Sequence, residues 1–305
     1  MNLPVTSHSA ATKCADVVFD VRDALGEGPI WDTRTGTLYW VDLLGKKLCR
    51  GNPNDGRTSA RALTYAAAKV TLCDDDRLLV SFLRAPAFGT FDSDQFTPID
   101  LQGAVIDKQR FNDATCDSRG RLWTATYDGK LTSASGRIVC IDGSTVTRKA
   151  DGIRMPNGIR FSPDEKTMYF VDSWPGHVWA YAYDVNSATL SKRQLLIDYD
   201  GSGVKPDGCA IDTDGCLWIA EVNRSRISRF TPTGLLDRVI EVPTSKPTSV
   251  CFGGAANTTL FITTRIDGLS PEQRVSEPHA GAVFAAEVTT PGQIEHRFKT
   301  ATRCS

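Results

Sequence analysis

The 305-residue sequence has no run of 18 apolar residues, which excludes a membrane-spanning helix of ordinary length. It has no C-x-x-C pair, and its nine cysteines are an odd number. Neither a disulfide framework nor a zinc-finger pattern is therefore written in it. Histidine is scarce: His8, His177, His279 and His296 stand at no ligand spacing to one another. A G-x-S-x-G nucleophile elbow is absent, and so is a Gly-rich phosphate loop ending in Lys-Ser or Lys-Thr. Neither sign of charge dominates, since 35 Lys and Arg balance 36 Asp and Glu to a net -1. That balance leaves no basic face of the size nucleic acid requires. Sustained helical periodicity is missing too, which argues against α/β alternatives.

Some local features have ordinary readings. Met1 to Thr12 is polar and lacks the apolar core of a secretory signal, so residues 1–12 are expected to be a loose tail. Cys73, Cys140, Cys209, Cys216 and Cys251 lie in apolar runs and read as small buried hydrophobes. Free thiols in that number fit a reducing cytoplasm. Cys14 and Cys304 stand near the two ends and would meet if the termini do. Arg224, Arg226 and Arg229, interleaved with Ser225, Ile227 and Ser228, read as the solvated face of one strand.

What the sequence does contain is a repeat. A turn followed by a short apolar stretch recurs as Leu38-Tyr39-Trp40-Val41-Asp42, Leu78-Leu79-Val80-Ser81 and Leu122-Trp123-Thr124-Ala125. It returns as Met168-Tyr169-Phe170-Val171-Asp172, Leu217-Trp218-Ile219-Ala220-Glu221 and Leu260-Phe261-Ile262-Thr263. The leading residues are 40, 44, 46, 49 and 43 positions apart, the spacing of propeller blades. Asp, Gly, Ser or Asn supplies the turn before each copy, as at Asp117 to Gly120 and Asp212 to Gly215, and another short apolar strand precedes the turn. Six such units predict an all-β chain, a six-bladed β-propeller over residues 13–305 as one domain. The leftover segments predict ring closure by Cys14 to Val21 with Ala282 to Val288 and Ile294 to Phe298.

Polar residues stand in phase ahead of these strands. Glu27, Asn157 and Ser249 lie 11 residues before their leading residue, and Asn112 and Asp207 lie 10 before theirs. The first strand of each blade lines a propeller's channel, so these residues converge at one mouth. Pro156-Asn157-Gly158 and Pro206-Asp207-Gly208, taken singly, are ordinary turns. Together, Glu27 and Asp207 bring two negative charges into one place, and a divalent cation would neutralise them. The oxygen donors suit Ca²⁺, Mg²⁺ or Mn²⁺, with Zn²⁺ and Fe²⁺ left open.

Gly26-Glu27-Gly28-Pro29-Ile30-Trp31, Arg110-Phe111-Asn112-Asp113, Asn157-Gly158 with Phe161-Ser162-Pro163-Asp164, and Pro206-Asp207-Gly208 occur in order. With Cys251-Phe252-Gly253-Gly254 and Gly281-Ala282-Val283-Phe284-Ala285, they make the chain resemble the gluconolactonase, regucalcin and senescence marker protein family. The resemblance runs from about Asp23 to Val288. It implies a six-bladed propeller with one divalent metal ion at the channel mouth, held by Glu27, Asn157 and Asp207. It also implies that Arg110 and Asn112 bind the oxygens of a small sugar lactone. The attacking water is expected to be metal-bound or oriented by Asp207, the candidate catalytic base. The loop Thr126-Tyr127-Asp128-Gly129-Lys130 departs from the family pattern, in which an acidic residue there contacts sugar hydroxyls; the expectation is that Asp128 or Lys130 takes that role or that the loop is reshaped. The expected activity is metal-dependent hydrolysis of an aldonolactone by a cytoplasmic monomer or weak homo-oligomer, with no nucleic-acid or membrane partner. The competing readings are a phosphotriester or other ester hydrolase at the same site, and a Ca²⁺-binding propeller without activity.

Overall fold

In the computed structural model, residues 13–101 and 109–300 are described. The tail expected over 1–12 lies outside them, as does Cys304. Six sheets form the six blades. Each begins with an innermost strand: Gly26–Asp32, Ala67–Leu72, Gln109–Cys116, Pro156–Phe161, Lys205–Ile211 and Pro247–Gly253. The second strands are Thr37–Asp42, Leu78–Phe82, Leu122–Asp128, Thr167–Asp172, Leu217–Val222 and Thr259–Thr264, and all six recurring apolar stretches fall in them. The core lies between the faces of neighbouring blades. Trp123, Ile138, Phe161 and Phe170 pack blade three on blade four, and Tyr169, Val171, Leu217 and Ile219 pack four on five.

The ring closes at its ends. Asp16–Phe19 pairs antiparallel with Val283–Glu287 as the outer strand of blade six. Lys13–Cys14 adds in parallel to Leu236–Glu241, the outer strand of blade five. The closure predicted from the leftover segments is thus present for the first C-terminal stretch. Ile294 to Phe298, predicted to pair there as well, instead runs across the end of the channel. The segment holding it is pinned to blade five by Thr213 N donating to Pro291 O (2.9 Å) and Gln293 N donating to Ile211 O (2.9 Å). Phe298 N donates to Leu72 O in blade two, and Lys299 N donates to Gly120 O in blade three (both 2.8 Å). Arg297 pairs with Asp32 of blade one. This strap carries Glu295 beneath the axis, where it meets Arg160 (3.4 Å) and Thr115 (3.3 Å). Burial pushes the Glu295 carboxyl up, but Arg160 and Lys69 outweigh it and hold the group below its ordinary range.

The turn aspartates do more than form turns. Asp117 accepts from the backbone N–H groups of Arg119 and Arg121 through one oxygen. Its other oxygen accepts from Trp123 Nε1 (2.8 Å), Arg121 Nε (2.7 Å) and Tyr183 Oη (2.8 Å). Asp212 repeats the scheme with Asp214 N, Cys216 N, Trp218 Nε1 and Arg229 Nε. Each carboxylate therefore ties a hairpin to the indole of its own blade, satisfying charges that burial would otherwise penalise. Arg229 is correspondingly buried and also pairs with Asp214 (2.9 Å) and Asp237 (2.7 Å), so it departs from the solvated face predicted for it. The eight described cysteines are free thiols, seven of them buried, including all five predicted so. Among the described residues no helix is long and apolar enough to cross a membrane.

Two outcomes follow from these buried charges. Asp23 accepts from Trp40 Nε1 (2.7 Å), but burial pushes its carboxyl up to about 7 from 3.8. Between those values the folded state holds a proton that the unfolded state has lost, so this group's contribution to stability falls as pH rises. Asp23→Asn is expected to be more stable than wild type at pH 8 by roughly 1–3 kcal/mol, the gap closing toward pH 4, in denaturant titrations across that range. Glu295→Ala strands Arg160 without its counter-charge and is expected to cost about 3 kcal/mol in urea unfolding.

Candidate metal centre and active site

All six innermost strands carry a register shift at the same level of the channel. It falls between Glu27 and Ile30, Ala67 and Lys69, Phe111 and Ala114, Asn157 and Ile159, Pro206 and Cys209, and Pro247 and Ser249. A bulge turns a side chain out of the pleat it would otherwise follow. Here six bulges form a ring, and Glu27, Asn112, Asn157 and Asp207 sit in or beside four of them. Gly28 shows the local cause: its φ of 56° is left-handed, and a Cβ there would meet Ala68 O at 2.7 Å. The chain can turn so tightly after Glu27 because that Cβ is missing.

The residues so aimed gather at the mouth opposite the strap. Asn112 Nδ2 donates to Asn157 Oδ1 (3.0 Å) and to Pro156 O (2.6 Å). Asn157 Nδ2 donates to Ser173 Oγ (2.8 Å), and Ser173 Oγ donates to Pro206 O (2.5 Å). That chain fixes the Asn157 amide, whose Oδ1 already accepts one hydrogen bond from Asn112, and joins blade four to the strand that carries Asp207. Across the mouth, Thr248 Oγ1 donates to Gly26 O (2.5 Å), tying blade six to the strand of Glu27.

Glu27 and Asp207 are half-buried and electrostatically linked. Burial, then Asp207 and Asp113, drive the Glu27 carboxyl well above its ordinary range, with Arg265 opposing. Burial pushes Asp207 up to about 7, Arg265 pulling down and Asp113 pushing up. Asp207 Oδ1 is fully covered and has no hydrogen-bond partner among the described residues. Two electrostatically linked carboxylates at equivalent bulges, one with an orphaned oxygen, and an amide oxygen on the same ring of bulges are donors that fit a cation. Among the described residues no three His, Cys, Asp or Glu side chains converge on a metal-sized site; Glu27, Asp207 and the Asn157 amide would offer two carboxylates and an amide oxygen. That all-oxygen set suits a hard ion.

The remaining expected residues are placed differently. Arg110 stands two positions before Asn112 on the same strand, exposed, with its side chain along Gly129. A Cβ at Gly129 would approach Arg110 Nε to 2.6 Å, so the glycine makes that seat possible. Asp128 is half-buried at the end of its strand and turned into its own loop. It accepts from the Lys130 and Thr132 backbone N–H groups (both 3.1 Å) and from Thr132 Oγ1 (2.5 Å), which holds its carboxyl at about 2. Sequence reasoning missed four charged groups around the channel: Lys69, Asp113, Arg160 and Arg265. Lys69 Nζ donates to Pro29 O (3.2 Å) and lies 3.8 Å from Asp113 Oδ1. A lone lysine in an apolar innermost strand, Ala67-Ala68-Lys69-Val70, is the signal that was available.

Because Ser173 bridges the Asn157 amide to the backbone before Asp207, Ser173→Ala is expected to weaken divalent-cation binding roughly tenfold with little loss of stability, read by calorimetric titration.

Comparison with known proteins extends the picture. A 6-deoxy-6-sulfogluconolactonase of Pseudomonas putida is 34% identical over 281 residues, covering 90% of this chain and 94% of the relative. A pentonolactonase of Haloferax volcanii is 32% identical over 286 residues, covering 92% and 96%. The crystal structure of a calcium-binding protein, regucalcin, from Agrobacterium tumefaciens superposes with a TM-score of 0.88 at 25% identity, covering 95% of this chain and 99% of that one. The family described as SMP-30/Gluconolactonase/LRE-like region matches residues 25–266, and the chain belongs to it.

Proposed function

We infer that the protein hydrolyses a sugar lactone to the open-chain sugar acid with the help of one divalent cation held by Glu27, Asn157 and Asp207. The observation that carries this reading is the channel mouth itself: two half-buried carboxylates at the bulges of blades one and five, near enough to raise one another's cost of ionisation, with the Asn157 amide of blade four hydrogen-bonded in place on the same ring of bulges. Relatives bearing lactonase names, similar over nine-tenths of the chain, support the reaction class. The likeness to a calcium-binding regucalcin supports calcium or a similar hard ion.

The cation supplies charge stabilisation to the carbonyl oxygen as the ring ester is attacked. The chain's own residues do the rest. Asn112, fixed on Asn157 and Pro156, is positioned at the rim of the cradle to orient the substrate beside the ligands. Arg110, a planar fork of donors two residues away, holds hydroxyl or ring oxygens. Asp207, with one oxygen free of hydrogen bonds, accepts a proton from the attacking water. The water oxygen bonds to the carbonyl carbon, the ring C–O bond breaks, and the proton is delivered to the departing ring oxygen. Asp128 contributes by shaping the loop whose Gly129 seats Arg110, and Tyr127, paired across the strands from Arg110, closes the same side.

The test is lactone hydrolysis after chelation, with Mg²⁺, Ca²⁺, Mn²⁺, Zn²⁺ or Fe²⁺ restored singly and acid release followed. Turnover is expected to return with one or more hard ions and to fall by on the order of 10²-fold or more in Asp207→Ala. Tight cation binding with no turnover of any lactone would favour the binding propeller, and turnover of phosphotriesters alone would favour the ester hydrolase.

A further inference from the structure

A cavity of about 970 Å³ opens on blade two beside the start of the blade-three innermost strand. Among the described residues, Arg61, Arg84 and Arg110 line it, with Asp94 as the one carboxylate. Arg61 is already committed: it pairs with Asp94 (3.1 Å), donates to Thr90 O and Phe91 O, and lies over the Phe96 ring (5.2 Å). Arg84 and Arg110 are not. Among the described residues neither makes a side-chain hydrogen bond or an ion pair, and both border the cavity. The backbone also places them together, because Phe111 N, next to Arg110, donates to Leu83 O, next to Arg84 (2.9 Å). Tyr65, 65% exposed, stands on the same wall, and Leu83 N donates to Ala66 O beside it (3.1 Å).

Two guanidinium groups carried by hydrogen-bonded neighbouring strands border one cavity, and an oxyanion seated there could accept paired hydrogen bonds from both. Arg110 stands two residues, about 6–7 Å of extended strand, from Asn112 at the cation cradle. We propose that Arg84 and Arg110 form a clamp for an anionic group (carboxylate, sulfonate or phosphate) at the end of the substrate remote from its lactone carbonyl. The substrate is then an acidic sugar lactone, its ring lying between the clamp and the cradle, with Tyr65 offering an aromatic face at the rim. The clamp deepens the lactonase reading by assigning the Arg110 fork to the oxygens of this anionic group rather than to ring or hydroxyl oxygens, and rests on that reading for the identity of the other end.

The experiment compares wild type with Arg84→Gln on gluconolactone, on glucarolactone with its free carboxylate, and on gluconolactone phosphorylated at its terminal carbon. It also measures binding of terminally phosphorylated gluconate by calorimetry at low and high salt. The Arg84 side chain bonds to no described residue, so the variant is expected to fold, as its melting temperature would confirm. Wild type is expected to favour the charged lactones by about tenfold or more in kcat/KM, a preference that shrinks in Arg84→Gln and is eroded by salt. Equal rates on charged and neutral lactones, or a preference untouched by Arg84→Gln, overturn the clamp and leave the lactonase standing. Salt-sensitive binding of the phosphorylated acid that Arg84→Gln abolishes, with no lactone turned over, keeps the clamp and overturns the lactonase. Neither turnover nor binding overturns both.

Discussion

Charge sunk along the axis of a ring of apolar blades is the constraint on which the rest of this structure depends. Glu27 and Asp207 stand at one mouth, and each feels the charge of Asp113. Lys69 lies 3.8 Å from Asp113, and at the far end Arg160 meets Glu295. Taken out of water, none of these groups is tolerable alone; Lys69 offsets Asp113 and Arg160 offsets Glu295, while Asp113 adds to the cost of Glu27 and Asp207. The scheme is complete at the strap end and incomplete at the mouth. There, Arg265 influences both carboxylates but bonds to neither, and Asp207 Oδ1 has no partner among the described residues. A site that takes a cation has this form: paired charges deeper in the channel, and an excess of negative charge where the ion enters.

The two levels of order in the blades serve that site differently. Apolar packing between blades sets the ring and fixes the height of each innermost strand. The bulges then decide which side chain at that height leaves the pleat and faces the axis. Blade two presents alanine at its bulge and blade six presents threonine, so the site is built mainly from blades one, three, four and five. Blade six contributes a tie, Thr248 to Gly26, rather than a ligand. Blade two contributes Lys69 one step deeper, and its outer face contributes the cavity.

Much of this was legible in the sequence. The second strands are apolar enough, and regular enough in spacing, to announce six units, and counting back from them finds Glu27, Asn112, Asn157 and Asp207. The counting fails by one residue in blade six: Ser249 holds the predicted phase, but the bulge between Pro247 and Ser249 hands the contact across the mouth to Thr248. A register shift leaves no trace in a pattern of apolar residues. Asp128 is an acid in the right loop, yet its short side chain finds the backbone of its own turn first. Glu295 and Arg160 could not be matched from sequence because they lie far apart along the chain and only the strap brings them together. Arg229 reads as solvated because alternation records which face a residue is on, and not which carboxylates wait there.

The closing strands set an order of events for making the molecule. Asp16–Phe19 completes blade six only by pairing with Val283–Glu287, and Lys13–Cys14 reaches blade five only by lying beside Leu236–Glu241. On a ribosome the first of these segments is made long before its partners. Early blades can form in turn as the chain emerges, but the leading segment must wait, unpaired, until nearly the whole polypeptide exists. Until then the nascent protein carries open sheet edges at both ends, the condition under which chains pair with one another instead of with themselves. Contacts of such long separation also make the final step slow. The same join that makes the finished ring continuous therefore makes its birth the most exposed moment of its life.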